Sequence, residues 1–122
     1  MDMMEVARAL VAGCRAGRET ENLGRLYAED AVSVEAADFG NGRAVRGIDA
    51  IRGKHDWWAQ TTEVLEQDVS DPMPNGDDRF AVIFEVKARD RESGKVTEMR
   101  EVGLYHVEDG RIVREEFFYP TG

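Results

Sequence analysis

The sequence predicts an α+β fold in which helices come first and a meander of long antiparallel strands follows. Three observations carry that expectation. Val6, Leu10 and Cys14 recur at helical spacing near the start. Phe80, Val82, Phe84 and Val86 fall at every second position, as one face of a strand requires. Glu108-Asp109-Gly110 is a tight hairpin turn between two strand-like runs. With 122 residues, residues 1–122 are read as a single domain, because independent domains cluster near this length.

The first helix is expected over Met3 to Ala16, with Arg15 and Arg18 near its C-terminus and Gly17 as the break. Thr20-Glu21-Asn22 starts a second helix that carries Leu23, Leu26 and Tyr27 and stops at Glu29-Asp30. Ala31 to Ala36 is β-branched and short, which predicts a strand. A glycine-containing loop, Asp38 to Arg43, leads to a short extended Ala44-Val45-Arg46. A third helix opens at Gly47 and runs to about Thr61, with Ile48, Ile51, His55 and Trp58 on one face.

Strands are then predicted over Val64 to Val69, Phe80 to Arg89, Val96 to Val107 and Arg111 to Tyr119. Between the first two, Pro72 to Asp78 reads as a rigid turn; Arg91 to Lys95 reads as a hairpin turn. A strongly twisted sheet of this kind can wrap around helices and leave an internal pocket.

Charge and composition exclude several functions. The net charge of −9 argues against nucleic acid or an anionic membrane as partner, since phosphate contacts need clustered Lys and Arg. No apolar run approaches the length of a membrane span. The lone Cys14 offers neither a disulfide nor a cysteine metal cluster, and the acidic start is unlike a secretory signal, so a cytoplasmic location is expected. His55 and His106 stand on different elements without ligand spacing, so no metal is expected. No phosphate loop, nucleotide fingerprint or nucleophile elbow is present, and no cofactor is expected.

Three stretches suggest a family. Leu26 to Val32, Arg46 to Arg52 and Glu108 to Phe117 stand in order at typical separations. Together they are similar to the SnoaL-like domains of the nuclear transport factor 2-like superfamily, which includes ketosteroid isomerases and scytalone dehydratases. Lys54 to Trp58, Gly76 to Val82 and Arg114 to Tyr119 resemble a subgroup known mostly from bacteria. The resemblance implies a cone-shaped, cystatin-like barrel of strongly curved mixed or antiparallel sheet around the N-terminal helices. It also implies a pocket inside the cone and a homodimer through the outer sheet face, where Val102, Leu104 and Phe118 point. It does not imply one activity, because the fold hosts isomerases, cyclases, dehydratases and binders.

By that resemblance, the catalytic base, tyrosine and aspartate of ketosteroid isomerases fall on Ala36, Val11 and Gly103. All three are replaced, so the chain is not expected to be a typical ketosteroid isomerase. The catalytic carboxylate of SnoaL polyketide cyclases falls on Phe117, with Glu115 two residues earlier on the same face. Alternation groups Met99, Glu101, Gly103, Tyr105 and Val107 on one strand face, and Glu115, Phe117 and Tyr119 on the next. The resemblance implies that these faces look into the pocket, and that His55 takes a pocket tyrosine's place.

A histidine near carboxylates in an aromatic cavity is an acid/base set. His55 with Glu115 or Glu101 is therefore the expected catalytic group. Trp58, Tyr105, Phe117, Tyr119 and Met99 are the expected contacts for a small apolar or carbonyl-containing molecule. On this reading the protein is a cofactor-free isomerase, cyclase or hydratase working beside a carbonyl. A second reading makes it a non-catalytic ligand-binding or dimeric accessory domain. His55 then reads as a structural histidine, and Glu101 and Glu115 as carboxylates paired with Arg100, Arg114 or His55. A third reading, a protein-transport adaptor like the superfamily namesake, is disfavoured for want of an exposed recognition stripe.

Overall fold

The N-terminus is organised by a reciprocal cap. In the computed structural model, which describes residues 1–121, Glu5 N–H donates to the Asp2 carboxylate at 2.8 Å, and Asp2 N–H donates back to Glu5 at 3.3 Å. This capping box satisfies donors that a helix start leaves orphaned, and it opens α1 (Met3–Arg15). Val6, Ala7, Leu10, Val11 and Cys14 form the buried face of α1. Its far end is tied down by Arg15, which donates to the Val69 carbonyl at 2.8 and 3.1 Å and meets Asp71 at 2.9 Å.

α2 (Glu19–Leu26) buries Asn22, Leu23 and Leu26. Asn22 donates to the Leu10 carbonyl at 3.3 Å. It lies so close to α1 that a side chain at Gly13 would meet its Nδ2 at 2.6 Å. β1 (Tyr27–Val34) and the short β2 (Ala44–Arg46) follow, then α3 (Ile48–Thr61). The remaining strands are β3 (Thr62–Val69), β4 (Met73–Pro74), β5 (Arg79–Asp90), β6 (Val96–Glu108) and β7 (Arg111–Phe118).

The strands make one sheet in the order β2-β1-β7-β6-β5-β3, with β4 paired to β5. Every pairing is antiparallel except β1 with β7. This mixed sheet curves around the helices as a cone that stays open between β2 and β3 rather than closing into a barrel. α1 packs over β3, β5 and β7, while α3 covers β1, β2 and β3. The fully buried Phe80, Leu10, Leu23, Leu26, Ile51, Ile112, Val6 and Val82 belong to one core cluster, each such side chain contributing about 1.5–3 kcal/mol by leaving water.

The predicted α+β order is thus borne out, with two differences. The second helix stops at Leu26, and Tyr27 already belongs to β1. Its pairing with β7 is irregular between Tyr27 and Val32, which lets Ala28-Glu29-Asp30, a weak strand sequence, be carried along. The predicted rigid turn over Pro72 to Asp78 contains the two-residue β4, whose Pro74 sits on a strand paired on one side only, as a residue without an N–H requires.

Candidate active site

Register brings the site residues together. On β6, Gly103, Tyr105 and Val107 are buried while Val102 is exposed, so the odd-numbered positions face inward. Tyr105 stands opposite Glu115 of β7, and Gly103 opposite Phe117. On the other side of β7, Glu115 pairs in parallel register with Ser33 of β1. Three neighbouring strands therefore point Tyr105, Glu115 and Ser33 into the same interior.

Glu115 is 2% exposed, and a buried carboxylate must be hydrogen-bonded. Ser33 Oγ donates to one of its oxygens at 2.6 Å, and Tyr27 OH donates to the other. Lys54 of α3 donates to Ser33 Oγ at 2.7 Å and to Glu35 at 2.5 Å. Tyr119 OH completes the chain by donating to the second Glu35 oxygen at 2.9 Å. The result is a continuous hydrogen-bonded path, Tyr119–Glu35–Lys54–Ser33–Glu115–Tyr27. It leads from side chains one quarter exposed (25% for Lys54, 24% for Glu35) to a fully enclosed carboxyl.

Glu101 differs from its neighbours. It lies opposite Phe84 on the inner face of β6, and among the described residues its side chain has no hydrogen bond or ion pair. Burial and the negative charge of Glu35 raise its carboxyl to about 7, with Glu115 adding to the effect and Lys54 opposing it. Burial also raises Glu115, against the hydrogen bonds from Ser33 and Tyr27 and the Lys54 cation. Tyr27 and Tyr105 are held well above the ordinary phenol value by burial and by Glu115. They stay neutral and present O–H groups.

Aromatic rings line the same interior. Tyr105 stacks on Phe80 at 5.0 Å and meets Phe117 edge-on at 6.2 Å. The Lys54 ammonium lies 5.5 Å from the centre of the Phe117 ring, within cation–π range. A Cβ at Gly103 would stand 2.9 Å from Tyr105, 3.1 Å from Phe84 and 3.2 Å from Phe117. The three rings occupy the space that an aspartate would need there.

Of the expected site residues, Glu101, Glu115, Tyr105 and Phe117 share one interior, and Tyr119 joins it through Glu35. Met99 lies on the same inner face, opposite Val86 and half-buried. Trp58 is 36% exposed; Trp57 is more exposed and faces Phe39, with ring centres 6.5 Å apart. The pairing of His55 with Glu115 or Glu101 is absent from the hydrogen bonds. Its Nδ1 meets Thr20 Oγ1 at 3.2 Å, and burial, then Lys54, lowers its basicity. The adjacent Lys54 reaches the carboxylates instead. Nor do Glu101 and Glu115 pair with Arg100 or Arg114, which meet Glu85 and Glu116.

Tyr27, Ser33, Glu35 and Lys54 are site residues that the sequence reading did not single out. Ser33 and Glu35 stand two apart on one strand, and Lys54 stands three after the buried Ile51. Those spacings were the available signal. Among the described residues, no group of three or more His, Cys, Asp or Glu side chains is arranged to hold a metal ion. Two surface depressions, of about 440 and 520 Å³, lie elsewhere. One is lined by Met4, Arg8 and Asp71 among others, and the second by Glu29, Arg46 and Asp49 among others.

A SnoaL-like domain family matches residues 1–119. The chain belongs to the SnoaL-like family. A candidate SnoaL-like polyketide cyclase (also labelled carbohydrate phosphatase) from Mesorhizobium loti is 33% identical. The match covers 98% of this chain and 100% of that one, with a TM-score of 0.90. A nuclear transport factor 2-like protein from Burkholderia thailandensis is 17% identical over 98% and 92% of the two chains, with a TM-score of 0.82. A cystatin-like protein of unknown function from Xanthomonas campestris is 20% identical over 99% and 92%, with a TM-score of 0.78. At these lower identities the likeness is one of fold. No curated protein matches the chain. Among the described residues of this SnoaL-like chain, no helix is long and apolar enough to cross a membrane.

Proposed function

We propose that this SnoaL-like protein binds a small carbonyl-containing molecule at the mouth of the cone and moves a proton beside the carbonyl without a cofactor. The observation that carries this is Glu101, a largely buried carboxyl with no hydrogen bond or ion pair among the described residues, set beside a cation and two hydrogen-bonded carboxylates. A group held near 7 can give or take a proton at neutral pH, as acid/base catalysis requires. Glu101 is assigned as the acid/base. Lys54 and the Tyr119 hydroxyl are assigned to the carbonyl oxygen, where charge develops. Phe117, Met99, Tyr105 and Trp58 are assigned to the apolar body of the ligand, and Glu115 to positioning Ser33 and, through it, Lys54. His55 is assigned a positioning role, through Thr20, for the helix that carries Lys54.

The test is α-hydrogen exchange of cyclohexanone in deuterated buffer, followed by NMR. The native protein is expected to accelerate exchange and Glu101→Gln to abolish the acceleration. Equal rates with and without protein would remove the catalytic reading for this probe class and favour the second one. That second reading, a non-catalytic binder, draws support from Glu115, whose two oxygens are already satisfied by the chain itself.

The reading includes a cytoplasmic homodimer joined through the outer sheet face. There Val102 and Phe118 are paired in register and are 37% and 47% exposed. Sedimentation should show a dimer that Phe118→Glu converts to monomer; a monomeric native protein would rule the assembly out.

A further inference from the structure

We propose that Lys54 captures the carbonyl carbon of a small ketone or aldehyde as an iminium. This deepens the reading above and rests on its placing of a carbonyl compound beside Lys54. An amine that does this needs four things: a base to free its lone pair, an acid to help the oxygen leave, charge stabilisation for the product, and access. Each has a named counterpart. Glu35 accepts a hydrogen bond from Nζ at 2.5 Å and is the base. Glu101 faces the same interior with no hydrogen bond of its own among the described residues, and it is free to act as the acid. The Lys54 side chain is 25% exposed, so it is not sealed from solvent.

Charge stabilisation is the deciding point. An ammonium paired with Glu35 is a poor nucleophile, and a pair that served structure alone would stop there. The iminium, however, carries the same single positive charge at the same nitrogen. Glu35, the Phe117 ring 5.5 Å from Nζ and the Ser33–Glu115 pair behind it therefore stabilise product and ammonium alike. A neutral imine would lose those interactions, so the site favours the protonated, electron-withdrawing form. That form acidifies the neighbouring C–H.

The step balances without an outside reagent. Glu35 takes one proton from the ammonium, and Nζ attacks the carbonyl carbon while the C=O electron pair moves to oxygen. Glu101 protonates that oxygen, recovers a proton from nitrogen, and protonates the oxygen again as the C–O bond breaks and water leaves. At that point Glu35 holds the first ammonium proton and Glu101 has given up its own; transfer of that proton from Glu35 to Glu101 restores both carboxyls. In net, two of the three ammonium hydrogens are accounted for in the water and one stays on the iminium nitrogen.

The chain has three lysines, Lys54, Lys87 and Lys95, so the other two serve as internal references. The full-length protein is incubated with cyclohexanone and cyanoborohydride, which adds hydride to an iminium. The product is mapped by peptide mass spectrometry for a gain of about 82 Da, the cyclohexyl group left on a lysine. The expected result is faster labelling at Lys54 than at either reference, with the excess lost in Glu101→Gln while Lys87 and Lys95 label as before. Lys54→Arg, which keeps the cation and the contact with Glu35, should then also lose α-hydrogen exchange. Labelling at Lys54 no faster than at Lys87 and Lys95 overturns the proposal. If exchange persists in the native protein without that labelling, the acid/base reading stands and the iminium falls. If labelling occurs without exchange, the iminium stands and the acid/base reading falls.

Discussion

Replacing Glu101 by Gln separates a poised carboxyl from an inert one, because the two differ in how stability depends on pH. Burial and Glu35 hold Glu101 at about 7 in the folded chain, against an ordinary 4.5. The folded state therefore binds this proton more tightly than the unfolded state does, and ionisation costs stability. The contribution is fully present below 4.5 and is lost as the pH rises through about 7. At about 1.4 kcal/mol for each factor of ten, the interval from 4.5 to about 7 amounts to about 3 kcal/mol. Glutamine keeps the shape and has no proton to lose. The variant should match the native protein near about pH 4 and exceed it by about 3 kcal/mol at about pH 8. Urea denaturation of both proteins across that range is the assay, with a midpoint gain of about 1–3 M expected at the alkaline end. A difference that stays constant with pH, or a native protein that is the more stable at alkaline pH, would refute the reasoning.

Other perturbations address the neighbouring contacts. Lys54→Met removes the cation that lowers Glu101, so the carboxyl should titrate above about 7; carbon-detected NMR of labelled glutamate reads this directly, and a downward move would contradict it. Tyr27→Phe leaves one oxygen of the enclosed Glu115 without its donor and should cost about 1–3 kcal/mol, visible as a lower urea midpoint with an unchanged slope. Gly103→Ala drives a methyl against Tyr105, Phe84 and Phe117 and should cost about 1–3 kcal/mol; a neutral effect would show that the rings yield easily.

The strand half of the fold was readable because alternation survives in β6 and β7. Tyr105, Gly103, Glu101 and Met99 could be assigned to one face from spacing alone, and the same holds for Glu115 and Phe117. The helical contribution was harder to read. Ile51 is the only buried residue of α3, so its apolar pattern is too sparse to tell whether position 54 or 55 turns inward. A lysine also reads as a solvent residue until a buried carboxylate is known to await it. The sequence places Tyr27 within the second helix because Ala28-Glu29-Asp30 carries no strand signal. Only its placement on β1 reveals it as a donor to Glu115. What the sequence could not supply was the partner across the sheet: Ser33 becomes notable once β1 is seen to lie parallel beside β7, a pairing between residues some eighty positions apart.

That parallel pairing has a consequence for how the protein is made. Tyr27, Ser33 and Glu35 leave the ribosome long before Glu115 and Tyr119, which complete their hydrogen bonds across sequence separations of 88, 82 and 84 residues. Until the last strand emerges, the nascent chain holds the core helices and β1 with a row of polar groups facing water, and no carboxyl has yet been desolvated. Contacts of such long range slow folding. Here they also defer the burial of Glu115 until every donor it needs has been synthesised. Loss of β7 would thus remove the site and expose β1 to a neighbouring chain, linking truncation within that strand to aggregation.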